Sequence, residues 1–421
     1  MTTLNPDLAN THAARALLRC KTLSAISQMQ GGIHREYLSK EHQACNKIVG
    51  QWMNDADMQT WQDEVGNLWG SLRSSNPNAK RLIIGSHLDT VPNAGAYDGI
   101  LGVMLAIELA ALAKQLNLDL PFHLDVVGFC DEEGTRFATT LIGSKALANE
   151  FNPSWLAITD TQGMSMRQAM LDFGLQPDDF AKAALNPDEI LAYWEAHIEQ
   201  GPVLESVDQA LGVVTAIAGA KRAMITLTGH SGHAGTTPMN LRQDSVTAAA
   251  ELVIAIEKLA NDCKNGEVAT VGQVHVRPGA TNVIAGKTTI SLDARAQSDN
   301  DLADLISNIE STAEKIAKQR NLTIQWQWTH AAEAVQCDSY IQALFSQACT
   351  LNQENSPFLA SGAGHDAMAI APICPIGMLF IRSPGGISHH PAEAVIDEDV
   401  TKALNVMFSA LVLQANKSSK D

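Results

Sequence analysis

Short apolar runs in the first half of the chain end abruptly in chemically active residues. Arg81–Ser86 (RLIIGS) leads into His87 and Asp89, and Phe122–Phe129 (FHLDVVGF) leads into three acidic residues. Between these runs, the Ala- and Leu-rich segment Gly99–Lys114 predicts a helix. Strands that alternate with helices predict a mostly parallel sheet covered on both faces. Reactive groups gather at the carboxyl ends of such strands, which is where these polar residues fall.

The pattern changes from about Gly212, and Asp188–Trp194, just before that change, is expected to be helical. The predicted strands and helices then follow a βαββαβ order, typical of a small ferredoxin-like domain. They are Ala223–Thr228, Ser245–Leu259, Val268–Val276, Lys287–Ala294, Asp301–Gln319 and Leu322–Thr329. We therefore predict an α/β catalytic domain of residues 1–211 and 331–421. An inserted ferredoxin-like domain of residues 212–330 interrupts it.

Length, charge and cysteine content exclude several classes of protein. A chain of 421 residues is too long for one compact core, which agrees with two domains. A net charge of -17 argues against nucleic acid as a partner, because phosphate binding needs clustered Lys and Arg. Seven scattered cysteines, no signal-peptide pattern and no membrane-spanning apolar run predict a cytoplasmic protein.

The first chemically informative motif is GSHLDTVP, at residues 85–92, followed by Tyr97–Gly99 (YDG). His87 and Asp89 stand two residues apart at a predicted strand end. A metal-bound histidine commonly gives its second ring N–H to a carboxylate, a role open to Asp89. Asp98, in a turn before a helix, is placed to offer its carboxylate to two cations. By itself, however, His-x-Asp is more often a surface pair.

The second motif is FCDEEGTRF, in which Glu132 and Glu133 follow an apolar strand. Buried acidic residues in a row are costly unless they are paired or bound to cations. Adjacent side chains point in different directions, so one glutamate can bind metal while the other transfers protons. The alternative is a solvated acidic loop.

Two further motifs supply histidines. HIEQGP contains His197, and GGISHHPAE contains His389 and His390. Each histidine taken alone is more often structural than catalytic, so neither motif is specific by itself.

Taken together and in order, the motifs resemble the allantoate amidohydrolase and N-carbamoyl-L-amino-acid hydrolase family of two-metal amidases. The resemblance spans roughly residues 20–415 and is greatest to bacterial allantoate amidohydrolases. It rests on GSHLDTVP with YDG, DEEGTRF, HIEQGPVLE, GHSGHAGTTPM, GATNVI, SGAGHDA and GGISHHPAE. This family lies within a larger clan of two-metal aminoacylases and exopeptidases. The resemblance thus implies a metallo-exopeptidase-like catalytic domain, with residues 212–330 as a dimerisation or lid domain.

The resemblance implies two divalent metal ions per subunit. The implied ligands are His87, Asp98, Glu133, His197 and His389. Asp98 would bridge the two ions, with Glu132 as the general acid and base. The family pattern Ser-His-x-Pro selects His389 and leaves His390 as a neighbour. Nitrogen and oxygen ligands suit Zn²⁺ or Mn²⁺ equally.

The resemblance also implies groups that act on the substrate. His233 would stabilise the oxyanion, commonly from the partner subunit, which implies a homodimer. Gly232 stands before it, where the family usually has a polar residue. The implied substrate-binding residues are Gln200, Asn282, Arg295 and Arg222. An arginine is chemically apt here because its planar fork matches a carboxylate.

The implied reaction is hydrolysis of a ureido C–N bond in a small carboxylate, with release of ammonia and CO2. Allantoate, an intermediate of purine and allantoin catabolism, is the favoured substrate. N-carbamoyl-L-amino acids and β-ureidopropionate are the alternatives. More distant alternatives are a metallo-exopeptidase or aminoacylase using the same metals, and a non-enzymatic binding protein of the same fold.

Overall fold

The computed structural model describes residues 2–419. Its helices are α1 (Pro6–Leu23), α2 (Lys40–Asp55), α3 (Ile100–Gln115), α4 (Ile142–Leu147), α5 (Met166–Phe173), α6 (Val203–Ser206), α7 (Ser245–Asp262), α8 (Asp299–Gln319), α9 (Ser339–Leu351), α10 (Asp366–Ile370) and α11 (Asp397–Ser418). Short 3-10 helices lie at Pro153–Ala157, Pro177–Ala183, Pro187–Glu189, Met239–Leu241 and Pro384–Gly386.

The strands of the described residues fall into three sheets. They are β1 (Gln59–Gln62), β2 (Leu68–Leu72), β3 (Arg81–His87), β4 (His123–Phe129), β5 (Ile190–Ile198), β6 (Leu211–Ile217), β7 (Gly219–Thr228), β8 (Gly232–His233), β9 (Val268–Thr270), β10 (Val274–Arg277), β11 (Val283–Ile284), β12 (Lys287–Ala296), β13 (Thr323–Ala332), β14 (Val335–Gln336), β15 (Phe358–Ser361) and β16 (Ile376–Ile381).

The chain divides into two compact units. The first is drawn from Met1–Thr215, Cys337–Leu359 and Gly364–Asp421, and the second from Ala216–Gln336 and Ala360–Ala363. Among the residues that the structure describes, no helix combines the length and apolar character needed to cross a bilayer.

The first unit is built around a mixed sheet in the order β1-β2-β4-β3-β5-β16-β6. The four central strands, β4, β3, β5 and β16, run parallel, and the strands on either side are antiparallel. Helix α3 packs on the sheet and contacts both α1 and α11. Thirteen of its sixteen residues are buried, because a helix that is apolar all round must lie inside the protein. The predicted α/β class with a mostly parallel sheet is confirmed.

One predicted element is wrong. Asp188–Trp194 was expected to be helical, but a 3-10 turn, Pro187–Glu189, leads into strand β5. This strand pairs with β3 on one side and β16 on the other, and eight of its nine residues are buried. A strand buried on both faces shows no alternation of apolar and polar residues, so periodicity cannot separate it from a buried helix. The strand brings His197 to the same sheet edge as His87.

The second unit contains an antiparallel sheet in the order β10-β12-β7-β13. Helices α7 and α8 pack against each other and against β12, and their apolar faces form a separate core with the sheet. Buried and partly exposed residues alternate along β12, as expected for a sheet with one covered face. The strands and helices follow the predicted βαββαβ order, except that the predicted strand Val268–Val276 is two strands, β9 and β10, both paired with β12. Its role in dimerisation stays a prediction.

Candidate metal centre

The carboxyl ends of the four parallel strands lie side by side in the first unit. His87 ends β3, and its partner across the ladder is Phe129, the last residue of β4, so Glu132 and Glu133 follow in the adjacent loop. His197 lies near the end of β5. The Asp98 turn precedes α3, and the segment with His389 follows β16. The fold therefore collects residues from distant parts of the chain at one sheet edge.

Asp98 lies between two groups of potential ligands. Its Oδ1 atom is 3.3 Å from Nε2 of His197 and 3.9 Å from Nε2 of His87. Its Oδ2 atom is 3.1 Å from Nε2 of His389, and that nitrogen is 3.4 Å from Oε1 of Glu133. One carboxylate thus faces two imidazoles on one side and an imidazole with a second carboxylate on the other.

These contacts define two triads that share Asp98. One offers His87 and His197, and the other offers Glu133 and His389. Within each triad the potential ligand atoms all lie within 4.8 Å of one another. Glu132 forms a further group with His87 and Glu133.

The backbone orients two of the imidazoles. Nδ1 of His87 lies 3.1 Å from the main-chain oxygen of Asp89, and Nδ1 of His197 lies 2.9 Å from that of Ile198. Such contacts fix the ring tautomer and turn Nε2 towards Asp98. Nε2 of His197 is buried and makes no well-aligned hydrogen bond with any described residue. An unpartnered buried ring nitrogen of this kind is suited to bind a cation.

The carboxylate of Asp89 contacts the loop that carries the two glutamates. It lies 3.6 Å from Nδ1 of His87, farther than the main-chain oxygen of the same residue. Instead it accepts hydrogen bonds from the backbone N–H groups of Glu132 and Glu133, each at 3.1 Å. Asp89 therefore holds the acidic loop as well as lying beside His87.

The charges of the site raise the pKa values of its glutamates. Burial, followed by the charge of Glu133, raises the pKa of Glu132 well above its ordinary value. Burial and the charge of Asp98 raise the pKa of Glu133 to about 8. Both carboxylates therefore hold their negative charge less readily than a free glutamate does, and a bound cation would compensate for their removal from water.

The pKa values of Asp98 and His389 instead shift in the directions that favour the charged forms of both side chains. Burial alone would raise the pKa of Asp98, but the hydrogen bond with His389 and the nearby imidazoles of His197 and His87 bring it below its ordinary value. The same hydrogen bond raises the pKa of His389 to about 9. Three imidazoles, one of which has an unpartnered ring nitrogen, and two carboxylates form a donor set that suits divalent cations such as Zn²⁺ or Mn²⁺.

Gln200, predicted to contact the substrate, lies at this site. Its Nε2 atom is 3.2 and 3.1 Å from the two carboxylate oxygens of Asp98 and 3.1 Å from Oγ of Ser388. Its backbone N–H donates to Oγ of Ser383 and its φ is 60°. The structure therefore brings one of the four predicted substrate-binding residues to the candidate metal centre.

The other residues predicted to act on the substrate belong to the second unit. His233 and Asn282 are exposed and adjacent, because β8 pairs with β11 and Ala234 N–H donates to the main-chain oxygen of Asn282. Arg222 and Arg295 also lie close together, on paired strands β7 and β12.

Both arginines bind Asp293, a residue that sequence reasoning missed. Arg295 donates to its two carboxylate oxygens from Nε and Nη2, at 2.8 and 3.0 Å, and Arg222 donates from Nε at 2.8 Å. The signal for this contact was the i, i+2 spacing of Asp293 and Arg295, which places both side chains on one face of a strand. Asp293 therefore orients the guanidinium groups of Arg222 and Arg295.

Sequence reasoning also missed Glu195 and assigned no metal-binding role to His365, which lies in the motif SGAGHDA. Their potential ligand atoms, together with that of His197, all lie within 4.8 Å of one another. Glu195 accepts hydrogen bonds from Oγ of Ser86 and the hydroxyl of Tyr193. Glu195 lies two residues before His197 on a strand, and such residues share a face. Its position beside His197 could therefore be predicted only after β5 was recognised as a strand.

Comparison with known proteins agrees with this geometry. Residues 83–412 match the peptidase family M20/M25/M40, and the chain belongs to that family. It is 38% identical to an N-carbamoyl-L-amino acid amidohydrolase of Geobacillus stearothermophilus over 90% of this chain and 93% of that protein. It is 37% identical to allantoate deiminase 2 of Glycine max over 94% of this chain and 88% of the relative.

A solved structure shows the same likeness. The crystal structure of an amidase of the hydantoinase/carbamoylase family from Burkholderia multivorans superimposes with a TM-score of 0.90 and 28% identity, covering 96% of this chain and 98% of that one. The resemblance stated from the motifs is thereby confirmed, and the chain is a hydrolytic enzyme.

Proposed function

We propose that this enzyme is a two-metal amidohydrolase that cleaves the ureido C–N bond of a small carboxylate, with allantoate as the first candidate substrate. The observation that carries the proposal is Asp98, whose two oxygens face separate triads of potential ligands. The named substrates of the relatives support it, because allantoate and N-carbamoyl-L-amino acids both combine a ureido group with a carboxylate.

In this proposal His87 and His197 hold one cation and Glu133 and His389 hold the other, with Asp98 shared. The nitrogen and oxygen donors do not choose between Zn²⁺ and Mn²⁺. When bound, a pair of divalent cations supplies polarisation of the substrate carbonyl and a lower pKa for the attacking water.

Glu132 is the proposed general base and then general acid. Its backbone is held by Asp89, and burial with the charge of Glu133 raises its pKa, which makes the carboxylate a stronger base. It takes a proton from water as the water oxygen bonds to the ureido carbon. It returns that proton to the departing nitrogen as the C–N bond breaks. The carbamate released then decomposes to ammonia and CO2.

Residues of the second unit are proposed to bind the rest of the substrate. His233 donates a hydrogen bond to the oxyanion of the tetrahedral intermediate. Arg295 and Asn282 bind the substrate carboxylate, with Arg222 beside them, and the carboxylate of Asp293 keeps the guanidinium of Arg295 in place. Gln200 contacts the ureido group.

We further propose a cytoplasmic homodimer in which His233 serves the active site of the partner subunit. The seven cysteines are all unpaired and six are buried, which favours a reducing compartment. Mixing a His233→Ala protein with a Glu132→Gln protein tests the shared site. Recovery of activity on mixing would support it, and no recovery would favour sites built from one chain.

A substrate panel tests the function. Allantoate, N-carbamoyl-L-amino acids, β-ureidopropionate and dipeptides should be assayed separately with Mn²⁺ and Zn²⁺, and ammonia measured. We expect ammonia from allantoate and none from a Glu132→Gln control. Turnover of N-carbamoyl-L-amino acids alone would reassign the substrate, and hydrolysis of dipeptides alone would make the enzyme an exopeptidase.

A further inference from the structure

Glu393 is a buried carboxylate in the same segment as His389, and none of the roles above uses it. It lies four residues after His389 and is only 6% exposed. It is not a member of either ligand triad. Its carboxylate instead reaches the turn before α3: Oε1 accepts hydrogen bonds from the backbone N–H groups of Tyr97, at 2.8 Å, and Asp98, at 3.1 Å.

The second oxygen of Glu393 completes a ring of hydrogen bonds through Ser388. The Ser388 hydroxyl lies 3.3 Å from Oε2 of Glu393 and 3.0 Å from Oδ2 of Asp98, so its proton is shared between the two carboxylates. Both the backbone and the side chain of Asp98 are thereby tied to Glu393. The two residues are 295 positions apart in sequence.

The ring fixes the segment that carries His389. That histidine lies between Ser388 and Glu393 in sequence and has a φ of 54°, in the left-handed region. The backbone N–H of Glu393 closes a turn onto the main-chain oxygen of His390, at 3.0 Å. Because such a conformation persists only when surrounding contacts impose it, the anchored ends on both sides of His389 account for it.

The Glu393 side chain packs directly against Gly95. A Cβ atom on Gly95 would overlap the Glu393 side chain, so only glycine allows this approach. Gly95 therefore allows the close approach on which the hydrogen bonds of Glu393 depend.

We propose that Glu393 is a positioning residue that sets the distance between Asp98 and His389, and so the geometry of the cation site they share. The proposal rests on the metal centre proposed above. It assigns Glu393 no contact with a cation. The carboxylate acts by accepting hydrogen bonds from backbone N–H groups. The proposal therefore predicts that the site requires these hydrogen bonds and not the negative charge of Glu393.

Two variants of Glu393 test this by titration of the metal-free protein with Co²⁺, followed by calorimetry and by visible absorption of the bound ion. Glu393→Ala removes the ring and should weaken Co²⁺ binding about 10- to 100-fold, the usual cost of losing an outer partner of a metal ligand. It should also change the absorption bands. Glu393→Gln keeps an oxygen for the two N–H groups and should retain most of the affinity and the spectrum.

Glu108→Gln is the matched control, because Glu108 is equally buried but contacts none of the ligands. It should lower stability and leave the Co²⁺ spectrum unchanged. Should Glu393→Ala fail to fold, Gly95→Ala displaces the same side chain and should weaken Co²⁺ binding in the same way.

Two results would overturn the assignment of Glu393: wild-type affinity and spectrum in Glu393→Ala, or an equal loss in Glu393→Gln and Glu393→Ala. Failure of the wild-type protein to bind Co²⁺, Mn²⁺ or Zn²⁺ would instead overturn the metal centre, and this proposal with it.

Discussion

Two groups of acidic side chains in the first unit differ in their partners, because the chain provides strong cations for one group and not for the other. Glu108 is fully buried on α3, where Arg15 and Arg19 approach to 2.6 and 2.7 Å and His12 to 2.6 Å. We call this set the paired cluster. At the sheet edge, the carboxylates of Asp98, Glu132 and Glu133 form the open cluster, and no described Lys or Arg makes an ion pair with them.

The pKa values express this difference. Burial would raise the pKa of Glu108, but hydrogen bonds from His12 and Arg15 bring it below its ordinary value. In the open cluster, burial and neighbouring carboxylates raise the pKa values of Glu132 and Glu133. A buried acid whose charge the chain satisfies is a structural element, whereas unsatisfied acids beside oriented imidazoles are a site for a ligand from solution.

The largest expected effect is on kcat, which should depend on the open cluster and not on the paired cluster. Glu132→Gln should lower kcat by about 10²- to 10⁴-fold, the usual contribution of a general acid and base. Bound metal should stay near the wild-type amount, measured by elemental analysis. Glu108→Gln, assayed below its unfolding temperature, should keep kcat near the wild-type value. A Glu132→Gln enzyme with normal turnover would remove Glu132 from its role.

Stability should respond in opposite directions in the two clusters. Glu108→Gln leaves Arg19 buried without its carboxylate and should cost about 3–5 kcal/mol in the free energy of unfolding. Glu133→Gln, measured in the presence of a chelator, removes one of several uncompensated carboxylates and should be neutral or stabilising. Urea unfolding of both variants with chelator checks this. Equal destabilisation would show that the open cluster is satisfied without a cation.

Variants of the neighbouring residues His389 and His390 test which of the two histidines belongs to the open cluster. His389→Ala removes a group 3.1 Å from Asp98 and should weaken cation binding by at least the roughly 10- to 100-fold that loss of an outer partner costs. His390→Ala should have little effect, because Nδ1 of His390 only accepts a hydrogen bond from the backbone N–H of Ala392. Calorimetric titration with Mn²⁺ compares them, and a larger loss in His390→Ala would reassign the ligand.

A pH-dependent effect concerns a buried base in place of buried acids. Burial, and then the charge of Arg35, lowers the pKa of His42 to about 3. Since the unfolded chain binds this proton below about pH 6.5, the stability contribution is complete above that pH and is lost as pH falls towards 3. The slope is at most about 1.4 kcal/mol per pH unit.

His42→Gln should therefore reduce the loss of stability between pH 6.5 and 4, measured by urea unfolding. His275→Gln, at an exposed position, is the control and should follow the wild-type curve. An unchanged slope in His42→Gln would mean that His42 is protonated in the folded protein.

Sequence alone could predict the strands that lead into the site, because β3 and β4 are apolar runs that end in His87 and the acidic loop. It could not predict β5, since a strand buried on both faces carries no alternating pattern. The motifs indicated which side chains to consider, and the fold brings His87, Asp98, Glu133, His197 and His389 together.

The partners of these side chains were harder to predict. The hydrogen bonds of Asp89 and Glu393 run to backbone N–H groups supplied by loops remote in sequence. Backbone groups are identical at every position, so a sequence does not show which of them a carboxylate will meet. Asp293 differs, because its spacing from Arg295 made the contact with that arginine readable.

The position of β16 in the sheet has a consequence for biosynthesis. This strand is translated well after β5 and β6, yet it lies between them in the sheet. Until it inserts, both neighbours present unpaired edges, the kind of surface on which chains aggregate. His389 follows β16 in sequence, so the proposed cation site can be complete only after this late strand has been translated.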